Sequence, residues 1–352
     1  IEVPEQRALE TGLYVASEQK IGENLSLNYG LRLSTFHNIG PYDYKTYDEN
    51  DEVTSVTSYE KNEIYNTYFN LEPRLSASYA LNDLTSFKAS YNRMAQYMSL
   101  LQNANSSSPT DMWTPATPLI KPTIADQVSL GWFRNTKEKQ FSFSIEGYYK
   151  FMQNLIDYQD GADILLNPDF ESQLVFGDGR AYGAEFLVEK NTGKLTGWIG
   201  YTLSKSEKTF EDIMDGNWFP ARQDRTHDLS IVASYKLLRN LSVSGSWVYY
   251  TGDAVTFPSG KYTIDGAVVY LFTDRNGDRM PDYHRLDLGL TWVLKDAEKW
   301  HSDITFSAYN VYNRKNAYTI TFQESEFNPG QTEAVRLALF GIVPSVTWNF
   351  KF

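Results

Sequence analysis

The sequence contains no cysteine. Disulfides and thiolate metal sites are therefore excluded, and the absence suits a chain that folds through an oxidising periplasm. A run of about 18 apolar residues is also missing, so a helical membrane span is not expected. Basic residues are in the minority, with 32 Lys and Arg against 44 Asp and Glu. Because binding to a phosphate backbone needs concentrated positive charge, this balance argues against a nucleic-acid partner.

A secretory signal peptide is missing too. The first ten residues, IEVPEQRALE, have neither its basic start nor its apolar stretch. Either the signal has been removed, or the sequence starts inside a longer protein. The mean hydropathy of −0.45 would usually indicate soluble domains. A membrane barrel has a similarly low average, because its lipid-facing residues alternate with polar lumen-facing ones.

What the sequence does have is period-two alternation from end to end. Phe141, Phe143 and Ile145 alternate with Ser142 and Ser144, for example, which places an apolar and a polar set on opposite faces of a strand. The same pattern predicts about thirteen strands, at 7–20, 25–38, 67–82, 86–101, 126–137, 140–158, 180–192, 195–210, 226–238, 241–257, 284–296, 302–322 and 338–352.

The predicted connections alternate in length. Short turns such as IGEN and LNDL alternate with long polar stretches near 39–66, 102–125, 159–179, 211–225, 258–283 and 323–337. Outer-membrane barrels are built this way, with tight periplasmic turns and longer external loops. A soluble all-β sandwich or propeller has no reason to sort its loops, and it would expose too much aromatic surface. The sequence therefore predicts an all-β, transmembrane, antiparallel up-and-down β-barrel.

Thirteen is an unexpected count, because single-chain bacterial barrels have even numbers of strands. If the last strand runs toward the periplasm, counting back through the alternating loops makes the first strand run the same way. The chain would then begin just after an external loop, with its amino-terminal portion absent. A miscount near 258–283, where TIDGAVVYLFTD could form another strand, is the alternative.

The chain ends in FGIVPSVTWNFKF, with Trp348, Phe350 and Phe352 on one face. A last strand that finishes on an aromatic residue resembles the signal read by the outer-membrane barrel assembly machinery. Pro344 fits such a strand only at a bulge or an unpaired position.

Several stretches also resemble, in order, the carboxyl-terminal barrel of TonB-dependent outer-membrane transporters: NRMAQYMSLL, SSPTDMWTPATPLIKPTIADQVSLG, RAYGAEFLVEK, GWIGYTLSKSEKT, FPARQDRTHDLSIV, RMPDYHRLDLGLTW and YNVYNRKNAY. The resemblance covers nearly the whole chain. It implies that residues 1–352 are the carboxyl-terminal portion of a barrel of twenty-two strands. The amino-terminal plug, the first strands and the segment that engages TonB would then lie outside this sequence.

The resemblance implies a receptor in the outer membrane of a Gram-negative bacterium, and not an enzyme. It would capture a scarce nutrient (a siderophore, vitamin, peptide or glycan) and import it with energy from TonB and its inner-membrane complex. Outer-membrane lipid, the assembly machinery and a surface lipoprotein are the other expected partners. The alternatives are a passive porin-like channel, with an even strand count and an inward-folded loop, or a surface adhesin or partner subunit of an outer-membrane complex.

The stretch TDRNGDRMPDYHRLDL raises the question of a metal cofactor. Asp274, Asn276, Asp278 and Asp282 have spacing typical of small calcium motifs. They do not complete an EF-hand, because Gly277 occupies the fourth position and no Glu the twelfth. Turn chemistry explains the same residues, so calcium is an alternative and no other cofactor is expected. Catalysis is not expected at QDRTHD either, since adjacent strand residues such as His227 and Asp228 point to opposite faces.

Two further groups of residues are candidates for function. The first consists of loop aromatics of the kind that binding surfaces use: Tyr42, Tyr44, Tyr47 and Trp113. The second consists of charged residues expected to face the lumen, in interstrand ion pairs or in hydrogen bonds to a plug: Glu146, Lys150, Glu185, Lys236, Arg285, Asp287 and Asp303. A wide barrel needs a polar interior whatever it transports.

Overall fold

A computed structural model describes residues 6–48, 53–101, 112–159, 162, 170–264, 267–272, 274–328 and 330–352. Thirteen of the strands it describes form one antiparallel sheet, each paired with the next along the chain. These wall strands are β1 (Arg7–Ile21), β2 (Leu25–Ile39), β3 (Ile64–Asn82), β4 (Thr85–Gln96), β5 (Thr123–Asn135), β6 (Phe141–Tyr158), β7 (Leu174–Lys190), β8 (Leu195–Phe210), β9 (His227–Leu238), β10 (Leu241–Tyr250), β11 (Tyr283–Ala297), β12 (Trp300–Tyr309) and β13 (Val343–Lys351). The predicted all-β, up-and-down architecture is confirmed.

The connections between wall strands separate into two ends. Those at one end, the short-turn end, have two to five residues, for example 22–24 and 83–84. Those at the other, the long-loop end, are residues 40–63, 97–122, 159–173, 211–226, 251–282 and 310–342. The alternation in loop length read from the sequence therefore corresponds to two different ends of the wall.

The two faces of the wall differ in chemistry. On the outer face large apolar side chains are exposed, as with Leu130 at 65% and Phe69 at 69%. The other face is concave and polar, and a cavity of about 350 Å³ on it is lined by Ser26, Asn28, Lys88, Ser90 and Glu146, among others. We call it the lumen face. In the described part of the chain, no helix is long and apolar enough to cross a membrane.

The long loops contain secondary structure of their own. Paired short strands are Tyr42–Tyr47 with Val53–Tyr59, Met98–Leu101 with Met112–Pro115, Ala254–Val255 with Asp278–Arg279, Gly260–Ile264 with Ala267–Leu271, and Thr319–Glu324 with Thr332–Leu337. Phe219–Pro220 pairs with β8, and 3₁₀ turns occupy Phe170–Gln173 and Met214–Gly216. A further 3₁₀ turn, Lys137–Lys139, lies at the short-turn end between β5 and β6.

Four predicted strands, 86–101, 241–257, 302–322 and 338–352, were too long at the long-loop end, because the wall strand stops or starts where the chain turns into a loop; the last begins only at Val343. Strand β12 stops at Tyr309, and Asn310 and Asn313 follow with positive φ, a conformation that asparagine tolerates. Strands β4 and β10 likewise end at Gln96 and Tyr250. In the stretch around TIDGAVVYLFTD, Gly260–Ile264 and Ala267–Leu271 pair with each other in the loop and not with the wall.

Fully buried apolar side chains concentrate at the long-loop end. One cluster contains Leu101, Ile120, Ile156, Tyr158 and Leu174. Two others contain Val175, Phe210, Ile213 and Phe219, and Phe36, Tyr97 and Ala116. Because each cluster combines wall residues with loop residues, the loops pack on the wall there.

Candidate functional site

Residues 112–122, here called the crosspiece, fold inward across the long-loop end. On one side Asn38 Nδ2 donates a hydrogen bond to the Ala116 carbonyl at 2.7 Å, and Tyr68 Oη donates to the Thr117 carbonyl at 2.7 Å. On the other side Ile120, which is 1% exposed, packs in the cluster formed with β6 and β7. The crosspiece therefore connects β2 and β3 with β6 and β7.

Tyr97, which precedes the crosspiece, is held by the same wall strands. Its hydroxyl lies 2.8 Å from Ser34 Oγ and accepts a hydrogen bond from Asn70 Nδ2 at 2.8 Å. Its ring stacks on Phe36 with centroids 4.8 Å apart. Since Tyr97 is 4% exposed, burial and two polar contacts fix it on the lumen face.

A tyrosine-rich contact joins two loops above the crosspiece. Tyr42 Oη donates to Glu171 Oε2 at 3.1 Å, and the Tyr42 ring stacks on Tyr65 at 4.5 Å. Burial raises the pKa of the Glu171 carboxyl above its ordinary value, while hydrogen bonds from Tyr42 and Thr117 lower it in part. The contact thus combines aromatic surface with a carboxyl that binds protons more readily than usual.

Of the other predicted loop aromatics, the structure describes the side chains of Tyr44 and Trp113. Tyr44 is half-buried in the hairpin that also contains Tyr42, and the Tyr47 side chain is outside the described residues. Trp113 lies in the first strand of the crosspiece, Met112–Pro115, and is 62% exposed. Among the predicted aromatics whose side chains are described, only Tyr42 makes the hydrogen bond to Glu171 and the stack on Tyr65.

Residues 274–279, which we call the lid tip, reach from the loop between β10 and β11 to other strands. Arg275 Nη2 lies 2.5 Å from Asp157 Oδ1 and 3.3 Å from the Tyr158 carbonyl of β6. Lys208 of β8 lies 3.8 Å from the same carboxylate. Arg279 pairs with Asp224, whose side chain is 1% exposed. The lid tip is thus held by charged hydrogen bonds.

The four residues considered for calcium have oxygens that already accept protein hydrogen bonds. The Asp274 carbonyl accepts from Gly277 N at 3.3 Å, in a turn where Asn276 has φ of 53°. Asp278 accepts from Phe257 N at 3.2 Å, and Asp282 from Tyr249 Oη at 2.8 Å. Asn276 is buried, and its Oδ1 accepts from Thr256 Oγ1 at 3.5 Å. Among the described residues no group of three or more His, Cys, Asp or Glu could hold a metal ion, and calcium binding by these four residues stays a prediction.

Four of the charged residues predicted to face the lumen lie on the polar set of their strands without an ion pair in the described chain: Glu146, Lys150, Glu185 and Lys236. Glu146 stands directly opposite Glu185 across β6 and β7. Facing carboxylates repel each other, so this position favours a cationic partner.

The remaining three have partners within the wall. Arg285 Nε pairs with Asp287 at 2.9 Å along the same strand, and Arg285 Nη1 donates to Tyr283 Oη and Tyr309 Oη at 2.9 and 3.0 Å. Asp303 accepts from Asn349 Nδ2 at 3.0 Å. The pair formed by Arg285 therefore lies within one strand, where an interstrand pair was expected.

The aromatic end of the chain packs on the outer face. Trp348 Nε1 donates to Ser302 Oγ at 2.8 Å, and the rings of Phe350 and Phe352 lie 6.2 Å apart. Pro344 lies opposite Ala308 in β13, a strand with one described neighbour. Recognition of Trp348, Phe350 and Phe352 by the assembly machinery stays a prediction.

His227 and Asp228 show no catalytic arrangement. His227 Nδ1 lies 2.8 Å from Tyr201 Oη, and it is adjacent to Asp228 in β9, on the opposite face. Nearby, Arg225 pairs with Asp253 at 2.7 Å. These contacts are structural, and they join neighbouring strands and loops at the rim of the long-loop end.

Sequence reasoning missed the residues that hold the loops inward. Glu171 contacts Tyr42 across 129 positions of sequence, and Asp157 pairs with Arg275 across 118. Tyr97 has no special sequence context: it is a tyrosine that follows a strand. No periodic signal marks such residues. Burial of a carboxylate or guanidinium would have identified these residues, but burial can be seen only once the fold is known.

Comparisons with known proteins agree with this architecture. The family described as TonB dependent receptor-like, beta-barrel matches residues 3–313. No curated protein matches the sequence. Similar solved structures include the ferric-catecholate import receptor Fiu from K12 E. coli in its closed form (15% identity, TM-score 0.60), the siderophore receptor PiuA from Acinetobacter baumannii (16%, 0.61) and the ferric yersiniabactin uptake receptor FyuA from Yersinia pestis (14%, 0.61).

Each of these similarities covers 98% of this chain and 44%, 43% and 45%, respectively, of the other protein. The chain thus spans less than half the length of those receptors, and at such identities the likeness is one of fold. The family match covers most of the sequence, and the family consists of receptors and transporters, not enzymes. The chain belongs to the TonB-dependent receptor family, as part of its β-barrel, and is located in the outer membrane of a Gram-negative bacterium.

Proposed function

We propose that the chain forms the carboxyl-terminal part of the barrel of a receptor that captures a scarce nutrient and imports it with energy from TonB. The family match over residues 3–313 carries this proposal. Coverage of less than half of the similar receptors supports a longer protein with a plug and a barrel of twenty-two strands. Contact with TonB through the plug, and with a surface lipoprotein, belongs to the same proposal.

Among siderophores, vitamins, peptides and glycans, the proposed substrate is an iron–siderophore complex. The three similar receptors named above are described as siderophore or ferric-chelate receptors. The long-loop end offers aromatic surface next to amides and hydroxyls, at Tyr42, Tyr65, Asn66 and Tyr68. Rigid rings with a few placed polar groups suit a bulky organic chelate.

The test is uptake of radiolabelled iron by cells that depend on the full-length protein. Chelates of catecholate, hydroxamate and phenolate type are supplied separately to a deletion strain, with and without the restored gene, in backgrounds with and without TonB. We expect uptake of one chelate class, only with both the gene and TonB. Uptake without TonB would overturn energy coupling, and import of cobalamin, a peptide or a glycan in place of every chelate would overturn the substrate class.

The facing carboxylates of Glu146 and Glu185 are the proposed lumen contact of the plug. A cationic side chain between them would relieve their repulsion. In the full-length protein, E146Q/E185Q should lower the urea concentration at which a planar bilayer begins to conduct. Glu60→Gln, an exposed loop substitution, is the control. An unchanged urea threshold would remove this contact from the proposal.

A passive channel is the second candidate, because an inward-folded loop was its expected feature and the crosspiece is one. Such a channel conducts without TonB. Steady conductance of the untreated full-length protein would favour it, and a closed bilayer that opens only in urea would favour the receptor.

A further inference from the structure

Three consecutive turns at the short-turn end carry an excess of positive charge. Residues 136–140, 189–194 and 236–240, at the turns between β5 and β10, contain six basic and two acidic residues. The basic ones, here called the basic strip, are Lys137, Lys139, Lys190, Lys194, Lys236 and Arg239. The chain as a whole has a net charge of −12, so the basic strip is opposite in sign to the rest of the molecule.

The other described turns at this end lack such an excess. Residues 20–24, between β1 and β2, hold one lysine and one glutamate, and the turn between β3 and β4 contains Asp83. Residues 295–299, between β11 and β12, hold two lysines and two carboxylates. The positive charge is therefore confined to the three central turns.

Hydrogen bonds hold these three turns side by side. Asn191 N donates to the Gln140 carbonyl at 2.9 Å, and Asn191 Nδ2 donates to Ser142 Oγ at 3.1 Å. Lys236 N donates to the Lys194 carbonyl at 2.9 Å. Because neighbouring strands are about 4.8 Å apart, the first and third turns lie about 19 Å apart. The basic strip is thus a continuous surface with a fixed length.

The first turn keeps charged residues where the backbone disfavours them. Glu138 and Lys139 have φ of 59° and 52°, a left-handed conformation that glycine and asparagine adopt at least cost. In two other turns glycine takes the positive φ, at Gly22 and Gly193. Residues held in this conformation cluster at functional sites. The turn therefore accepts strain while it keeps Lys139 exposed.

The cations of the basic strip surround the lower edge of the wall. Lys137, Lys139, Lys194 and Arg239 are exposed, and none of them has an ion pair within the described ranges. Lys236 is on the lumen side, while Lys190 Nζ lies 4.8 Å from the centroid of the outer-face Phe141 ring. A lipid leaflet meets only the outer side of a barrel. A partner that reaches all of the basic strip must therefore lie beneath the wall, in the periplasm.

We propose that the basic strip binds an acidic segment of a periplasmic protein in an extended conformation. About six residues of extended chain cover 20 Å, so their carboxylates would reach all three turns. Complementary charge of this kind steers association and selects the partner. The proposal does not depend on the cargo of the receptor, and the iron-uptake experiment tests that cargo separately.

The test uses the full-length protein in nanodiscs of phosphatidylcholine, with fluorescein-labelled octaglutamate as the probe and fluorescence anisotropy as the readout. The variant K137Q/K139Q/K194Q should bind the peptide about tenfold more weakly than the unaltered protein, because three exposed charge pairs are lost. The variant K20Q/K295Q/K299Q is the matched control, since it removes the same charge from other turns of the same end. It should bind the peptide as the unaltered protein does.

Further measurements keep the test decisive. Heat-modifiable migration in electrophoresis shows whether each variant has a folded barrel. Equal affinity of the two triple variants for octaglutamate would overturn the proposal, because charge would then act without regard to position. Loss of peptide binding in nanodiscs that contain phosphatidylglycerol would show that lipid headgroups cover the basic strip, and displacement of the peptide by soluble peptidoglycan fragments would assign it to the cell wall. Either result would overturn the proposal too.

Discussion

The wall and the long-loop end are held together by different forces. In the wall, hydrogen bonds between main-chain groups join each strand to the next, and side chains decide only which face meets lipid. At the long-loop end, particular side chains join distant segments, such as Asn38 with Ala116 and Arg275 with Asp157. A substitution in the wall should therefore act through the face it occupies, and one in the loops through the partner it loses.

The largest effect is expected from placing a charge among the apolar side chains of the outer face. On β6, Ile145 lies near the middle of the outer-face residues between Phe141 and Phe151, and its neighbour Ser144 faces the lumen. Ile145→Arg should cost about 2–4 kcal/mol of folding free energy, and Ser144→Arg much less. Urea unfolding in lipid vesicles measures both. Similar losses for the two variants would contradict the assignment of faces.

The next effect concerns the lid tip. Arg275→Met removes a charged hydrogen bond with Asp157, at a cost of about 2 kcal/mol, which corresponds to about thirtyfold faster opening. Hydrogen exchange should accelerate by that factor in residues 274–280 and remain unchanged in β10 and β11. Arg239→Met, in an exposed turn at the short-turn end, is the control. Acceleration along the whole wall would show that the lid tip is not a separate unit.

A smaller local loss is expected at Tyr97. Tyr97→Phe keeps the ring that stacks on Phe36 and removes the hydroxyl that contacts Ser34 and Asn70. The buried polar partners lose a contact, which costs about 1–2 kcal/mol. Exchange should accelerate in the crosspiece. Tyr262→Phe, an exposed tyrosine in the loop between β10 and β11, should leave the crosspiece unaffected, and equal effects of the two changes would argue against the contact.

The pH dependence of the tyrosine-rich contact should be smaller still. Since burial raises the pKa of Glu171, the folded contact binds more protons than the open one. The contact is fully stabilised below the ordinary carboxyl pKa and weakens as pH rises through the raised pKa. Exchange protection of residues 170–173 should therefore fall from acidic to neutral pH. Glu171→Gln should remove this dependence, and a dependence that persists would assign it to another group.

The smallest effect is expected from calcium. Because oxygens of Asp278 and Asp282 accept protein hydrogen bonds, millimolar calcium should not shift the thermal midpoint of the full-length protein or the exchange of residues 274–282. A stabilisation lost in Asp278→Asn and absent with magnesium would restore the calcium alternative.

The same difference explains what could be predicted from the sequence. The thirteen wall strands could be predicted, because alternation such as that from Phe141 to Phe151 extends over many residues and short turns such as IGEN separate one strand from the next. The ends of β4, β10 and β12 could not be predicted, since period-two alternation continues into short strands of the loops such as Thr319–Glu324. Tyr42 was chosen as a candidate from its residue type alone. Its partner Glu171 was not found, because a sequence separation of 129 residues leaves no local pattern.

The crosspiece also limits the size of the opening. It is hydrogen-bonded to β2 and β3 at one end and packed against β6 and β7 at the other, so these two parts of the wall cannot move apart unless one attachment breaks. A cargo that enters on that side must fit the remaining aperture or supply enough binding energy to detach the crosspiece. Selection by size would then occur at the mouth of the barrel, ahead of any step that consumes energy.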